Sequence, residues 1–210
     1  LDLTEIRELI PECCNTAAID INEFYDHKKE HLEDYLSSVK SIIVLGHHIE
    51  KFEEWVWNQF KFETEACIAD VHTKEVMKKI SSYIELQDHN SKIIPYSGVS
   101  GVRFKKIAAK SNLGEIGDNH LFLHRDWGPW VHLRVIITDA EIESSPQNKV
   151  DQVCIHCDNC IEACPINAIK RNDFNRQRCK DRHEKLNLSH SCEICAKNCP
   201  IGETPEKINK

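Results

Sequence analysis

Eleven cysteines stand in 210 residues, and eight of them fall between positions 154 and 199. Two runs hold seven of the eight: Cys154-Ile-His-Cys157-Asp-Asn-Cys160-Ile-Glu-Ala-Cys164-Pro165 and Cys192-Glu-Ile-Cys195-Ala-Lys-Asn-Cys199-Pro200. Cys179 lies between them. A short loop with a thiolate at every third position can wrap three corners of an iron–sulfur cubane. The chain then leaves as a helix, which carries the fourth thiolate toward a neighbouring cluster, and the proline helps end the wrapped segment. Zinc is the competing chemistry, because a Cys-x2-Cys pair is half a zinc site. Zinc does not call for a third cysteine two residues on followed by Cys-Pro. The pattern therefore points to two [4Fe–4S] clusters and to electrons moved one at a time. A disulfide scaffold does not fit an odd count with metal-type spacing. The implied compartment is reducing, hence cytoplasmic.

The first run has the spacing of bacterial two-cluster ferredoxins, and something must hold that module. Residues 1–145 read as an α+β domain with a partly antiparallel sheet, and 146–210 as the ferredoxin-like module, joined through the polar segment Glu143 to Lys149. Glu23 to Ser38 has helical polarity, and Ser41 to Leu45 is an apolar strand ending at Gly46. Thr73 to Leu86 carries Val76, Ile80, Tyr83 and Ile84 at helical spacing. Lys92 to Pro95 reads as a strand, Gly98 and Gly101 bracket a turn, and Val102 to Ser111 reads as a helix. Leu121 to Leu123 and Val131 to Thr138 are expected to pair as a hairpin around Asp126-Trp127-Gly128-Pro129.

Charge narrows the partners. The formal net charge is −7, and residues 1–150 hold 17 of the 27 Lys and Arg but 25 of the 34 Asp and Glu. An acidic main domain makes nucleic acid an unlikely partner, because phosphate binding needs clustered Lys and Arg. The basic run Lys170, Arg171, Arg176, Arg178, Lys180, Arg182 and Lys185 reads as a solvated surface or as balance for cluster charge. No stretch approaches the roughly 18 apolar residues of a membrane span. The charged residues Asp2, Glu5, Arg7 and Glu8 make Leu1 to Ile10 unlike a signal peptide.

Upstream of the cysteines stand Ile107-Ala-Ala-Lys-Ser-Asn-Leu-Gly114-Glu-Ile-Gly117-Asp-Asn-His-Leu-Phe-Leu and Trp127-Gly-Pro-Trp-Val-His-Leu-Arg-Val-Ile-Ile-Thr-Asp139. This order of segments resembles the cobalamin-dependent reductases, that is, epoxyqueuosine reductases and reductive dehalogenases. The resemblance covers about residues 93–201 well and 41–92 loosely. It implies a nitroreductase-like α+β domain holding a base-off corrinoid, with Leu113, Gly114, Glu115, Ile116 and Gly117 helping to line the pocket. It gives one cluster, the nearer to the corrinoid, to Cys154, Cys157, Cys160 and Cys199. The other goes to Cys164, Cys179, Cys192 and Cys195. Glycines would let the loop backbone approach the flat macrocycle, and the hard chemistry would belong to the cofactor.

Departures from that family pattern bear on substrate. The stretch Pro95 to Gly101 has no acid where epoxyqueuosine reductases carry a donor aspartate, and Asp118 stands where relatives carry Lys or Arg. Tyr96 is the phenol nominated as proton donor. The relatives are longer, so a tRNA-gripping extension is not expected in this chain. Asp70-Val-His72 reads as helix surface, His47-His48 as a strand end, and His120 and His124 as one face of a strand. Cys13, Cys14 and Cys67 read as core. Trp55, Trp57 and Phe60 fit a core or a homodimer surface better than a lid on a macrocycle.

The leading expectation is an oxidoreductase, a corrinoid-binding iron–sulfur reductase. It would be fed by a ferredoxin or flavodoxin and would act on a small molecule or on a corrinoid protein. A non-catalytic electron-carrier subunit is the second reading, and an epoxyqueuosine reductase acting on tRNA the third.

Overall fold

The computed structural model describes residues 1–24, 29–59, 65–96, 100–146, 152–186 and 192–206. Among these the chain begins α1 (Leu3–Glu8), β1 (Cys14–Asp20), α2 (Lys29–Glu33) and β2 (Ser41–His48). A 3-10 turn at Phe52–Trp55 leads to β3 (Trp57–Gln59), β4 (Glu65–Cys67), α3 (Ile68–Leu86), β5 (Ser91–Ile93) and α4 (Phe104–Lys110). Then come β6 (Gly114–Ile116), β7 (Phe122–His124) and β8 (Val131–Thr138). The cysteine module adds α5 (Asn159–Glu162), β9 (Ile169–Lys170), β10 (Asp173–Phe174), α6 (Arg176–Leu186) and α7 (Ile194–Lys197).

Four strands form one antiparallel sheet in the order β1-β2-β8-β5. Its two central strands are apolar on both faces, so helices must cover both sides. On one face Ala17, Ile19, Ile42, Val44, Val135 and Ile137 pack with Phe104, Ile107 and Ala108 of α4. On the other, Ala18, Ile43, Leu45 and Ile136 meet Val76, Met77, Ile80 and Ile84 of α3, with Leu3 and Ile6 of α1. The fold is mixed α+β, as the alternation of patterns implies.

Three local expectations change. The strand at Ser41 continues past Gly46 to His48. Leu121–Leu123 does not pair with Val131–Thr138, because β7 pairs with β6 and β8 takes β2 and β5 as neighbours. β8 is buried along nearly its whole length and is itself a central strand with β2 and β5 on its two sides, and a hairpin partner would have displaced one of them. The helix expected over Glu23 to Ser38 is seen only at Lys29–Glu33, with residues 25–28 outside the described set. Ser37 and Ser38 favour turns over helix interior. Gly98 also lies outside it.

The polar linker is not loose at its start. Ser144 and Ser145 hydroxyls accept from the Asp20 and Ala18 amides at 2.9 and 3.0 Å, and Ser145 N–H donates to Ala18 O at 2.8 Å. Those bonds cover β1, the exposed edge of the sheet.

Two glycines dock the module. Gly128 (φ +57°) lies so close to the second Cys-Pro loop that an added Cβ would sit 1.8 Å from Ile201 O. Gly202 (φ +73°) faces back, where a Cβ would sit 2.3 Å from the Trp127 carbonyl carbon. Both left-handed backbone and lack of a side chain are required here. Trp127 is held from behind by stacking on His124 and His48 at 3.8 and 5.1 Å. Gly128→Ala should therefore destabilise the docked module by about 1–3 kcal/mol or more. Urea denaturation followed by cluster absorbance checks this, and an unchanged midpoint would contradict it.

Candidate functional site

Cys154, Cys157, Cys160 and Cys199 line one small cavity of about 20 Å³, together with Asp118, Asn119, Leu123 and Pro200. Cys164, Cys179, Cys192 and Cys195 line a second of about 170 Å³, with Trp55, Leu121, Pro129, Phe174 and Arg182. The structure thus brings together the two sets of four named above. Asn119, buried between β6 and β7, lines both cavities. Burial pushes the Cys160 thiol up to about 11 and Cys195 to about 12, with neighbouring cysteines adding to it. Crowded, desolvated thiols of this kind become favourable when a metal takes their protons' place.

The loops around these cysteines are held from outside. His156 (φ +52°) and Asp158 (φ +64°) lie in left-handed backbone inside the first run. Arg171 Nη2 donates to both Asp158 oxygens at 2.6 and 2.7 Å. In the second cavity Arg182 Nε donates to Cys192 Sγ at 3.4 Å, and the Ala168 N–H donates to Cys164 Sγ at 3.3 Å. Donors to cluster sulfur tune the reduction potential. Part of the basic run, Arg171 and Arg182, therefore lies against the cysteine loops.

The glycine loop behaves differently from expectation. Leu113 is buried in the α4-side core. A Cβ on Gly114 would meet Leu123 O at 2.0 Å, and one on Gly117 the Leu123 side chain at 2.5 Å. These glycines allow β6 to pack on β7. Glu115 accepts the Cys154 N–H, and Asp118 lies 2.8 Å from His156 Nδ1. Of the five loop residues expected to line a corrinoid pocket, Ile116 alone borders the large cleft. The loop's acids grip the first cysteine run instead.

That cleft, about 860 Å³, is lined by the sheet domain and by Arg176 of the module. Phe104, Ile116, Leu121, Phe122, Val131 and Leu133 give it apolar walls, and Arg103, Lys105, Lys106 and Arg176 give it positive charge. It shares Trp55, Leu121 and Pro129 with the second cysteine cavity and no lining residue with the first. The set adjoining the cleft is thus Cys164, Cys179, Cys192 and Cys195, opposite to the order that the resemblance implies. The Trp55 indole N–H is buried with no partner among the described residues. A cluster sulfide or a cofactor amide would satisfy it.

Tyr96 and His132 also line the cleft, their rings stacked at 5.9 Å and 5°. Behind them lies a buried network that sequence reading missed. Asp70 takes His132 Nε2 at 3.1 Å, Arg134 Nη1 at 3.3 Å and Lys74 Nζ at 2.7 Å. Asp70 is 3 % exposed, so it is not helix surface. Burial alone would raise its pKa, but the bonds from His132 and Lys74 and the Arg134 charge outweigh it and hold the carboxyl well below its usual range. Burial lowers the His132 pKa, and raises that of Tyr96. The signal available was Arg134, a charge on an otherwise apolar strand.

Other named residues fall outside the cleft or take other places. His120 sits in the β6–β7 turn, lines the cleft and stacks on Phe174 at 5.1 Å, so it does not share the strand of His124. His124, its pKa lowered to about 4 chiefly by burial, accepts the Asp126 amide. Cys67 is core. The Trp57 side chain and Phe60 lie outside the described residues.

Residues 150–170 match the model of the 4Fe-4S binding domain family. The epoxyqueuosine reductase of Prochlorococcus marinus (strain NATL2A) is 25 % identical over 191 residues, covering 82 % of this chain and 61 % of that protein. The structure of epoxyqueuosine reductase from Streptococcus thermophilus superposes with TM-score 0.69 at 18 % identity, over 99 % of this chain and 67 % of that one. An epoxyqueuosine reductase crystallised with a tRNA-Tyr epoxyqueuosine-modified stem loop gives 0.68 at 16 % identity, over 94 % and 63 %. A B12-dependent reductive dehalogenase gives 0.59 at 14 %, over 89 % and 29 %. The chain spans about three-fifths of the length of the curated relative. The resemblance to epoxyqueuosine reductases holds in sequence and in fold, and that to reductive dehalogenases holds in fold. The tRNA complex overturns the expectation that nucleic acid is an unlikely partner. That expectation rested on net charge, whereas the basic groups Arg103, Lys105, Lys106 and Arg176 gather on one cleft.

Asp70→Asn should cost about 3–5 kcal/mol, because it leaves Arg134 buried without its counter-charge. The depressed pKa means that Asp70's contribution is fully present above the unfolded carboxylate value of about 4 and is lost only as pH falls through the folded one. Chemical denaturation at pH 5 to 8 should then show a level difference from wild type. A difference that grows or vanishes within that range contradicts the assignment.

Proposed function

We propose that this chain is an iron–sulfur reductase of the epoxyqueuosine reductase type that acts on a modified nucleoside in tRNA. This reverses the ranking that sequence alone favoured. The carrying observation is the cleft: apolar walls, a basic lining, a tyrosine–histidine pair within it, and a shared wall with a four-cysteine cavity. Each four-cysteine set would hold one [4Fe–4S] cluster. The clusters would be charged one electron at a time by a ferredoxin or flavodoxin.

The cleft suits a base-off corrinoid. Phe104, Phe122, Leu121 and Leu133 would meet its flat ring, and Ile116 would be the one contribution of the glycine loop. When bound, the corrinoid supplies a strongly nucleophilic, reducible metal centre. The protein's own groups do the rest. Arg103, Lys105, Lys106 and Arg176 attract phosphates of the nucleic acid. Lys105 is steadied by donating to His120 O at 2.7 Å. Tyr96 keeps its proton near neutral pH, because a phenol's ordinary value of about 10 lies well above it and desolvation only raises it further. It stands where the family's donor aspartate is missing, and His132, fixed by Asp70, supports its ring. The apolar walls exclude water from the reacting carbon.

Anaerobically reconstituted protein should contain about eight iron and eight sulfide per chain and should shift the spectrum of added cobalamin. It should reduce epoxyqueuosine in a tRNA-Tyr stem loop, read by nucleoside mass spectrometry. Tyr96→Phe should lower kcat about 10²–10⁴-fold with little change in KM, the usual weight of a positioned acid. Lys105→Ala with Lys106→Ala should instead raise KM and flatten its salt dependence. Cluster reduction without any cobalamin binding would make the chain an electron carrier. Turnover of haloarenes but not of the stem loop would make it a compact dehalogenase.

A further inference from the structure

Three of the remaining candidate ligands meet far from the cysteine runs. Cys14 opens β1 and pairs with His47 of β2, so their side chains share one face of the sheet. Cys13 lies in the preceding turn, where its carbonyl accepts the His48 N–H at 2.8 Å. The turn frees Cys13 from strand alternation, and both sulfurs face the same ring nitrogen. Cys14 Sγ lies 3.5 Å and Cys13 Sγ 3.7 Å from His47 Nδ1. All three donor atoms lie within 4.8 Å of one another. None of these residues lines a cysteine cavity or the cleft.

We infer that Cys13, Cys14 and His47 bind a zinc ion, a site separate from both clusters. The spacing fits. Zinc holds thiolate sulfur at about 2.3 Å and imidazole nitrogen at about 2.0–2.1 Å in a tetrahedron, so a sulfur–nitrogen edge is about 3.6 Å. Thiol hydrogen bonds alone serve the site less well, because Nδ1 has one lone pair and two sulfurs aim at it.

The other ring nitrogen carries the second argument. His47 Nε2 faces Glu54 Oε2 at 3.4 Å, with side chains only 6 % and 17 % exposed. Each of these buried atoms has only the other to face, with no hydrogen bond to any further described residue. A carboxylate on the far nitrogen keeps the proton there and turns the Nδ1 lone pair toward the thiols, the arrangement in which metal-ligating histidines are commonly found. Glu54 is thus a positioning residue. Two cysteines and one histidine complete a zinc tetrahedron with water. The ion would tie the turn before β1 to β2 and to the 3-10 turn that carries Glu54 and Trp55.

The test uses protein with both clusters reconstituted and one equivalent of zinc added, then dialysed against a weak chelator. About one zinc per chain should remain beside about eight iron. Zinc K-edge absorption should show two sulfur neighbours with nitrogen and oxygen. Cys13→Ser, at the half-buried position, should lose the zinc and keep the iron. Glu54→Gln, which removes no ligand, should weaken zinc binding about 10–100-fold. Zinc retained equally by Cys13→Ser and wild type would mean that it sits elsewhere, and would overturn the site. So would full iron with no zinc retained by wild type.

Discussion

The structure depends on a crossed exchange of two cysteines. Cys164 leaves the first run for the cavity of Cys179, Cys192 and Cys195, while Cys199 leaves the second run for the cavity of Cys154, Cys157 and Cys160. The module has little apolar core of its own. Its apolar core is Cys164, Ala168 and Ile169 with a few half-buried neighbours, and α6 buries no residue. A segment this poor in apolar burial cannot offset its ordering entropy alone. Metal–thiolate bonds linking both runs would supply the missing stabilisation, and would place two one-electron carriers side by side.

The sheet domain responds to the same constraint. Glu115 and Asp118 reach into the first cysteine run, Gly128 and Gly202 close the contact to Cys199, and Trp130 packs with Ala196 of α7. The sheet domain supplies most of the cleft, and the docked module adds Arg176 to its lining. The contacts that position the module also place that arginine.

The cysteine runs were legible in the sequence because their spacing is a local pattern, whereas the placing of Cys164 and Cys199 with the opposite run came only from the family resemblance. The apolar strands Ser41 to Leu45 and Val131 to Thr138 and the helix ending at Leu86 were legible for the same reason, a period that burial enforces. What escaped depended on distance. The pairing of β7 with β6, the grip of Glu115 on Cys154 and the meeting of Asp70 with His132 and Arg134 join residues with no local pattern. Net charge hid the basic cleft because it averages over the chain, whereas Arg103, Lys105, Lys106 and Arg176 gather on one wall. Gly114 and Gly117 misled because a glycine that permits strand packing and one that permits a cofactor look alike in a sequence.

The crossed exchange is tested most directly by electron paramagnetic resonance of the reduced protein with single cysteine changes. Cys199→Ala should alter the same cluster signal as Cys157→Ala, and Cys164→Ala the same signal as Cys195→Ala. If Cys199→Ala instead altered the signal that Cys195→Ala alters, each run would hold its own cluster. The account of how the module is held would then be wrong.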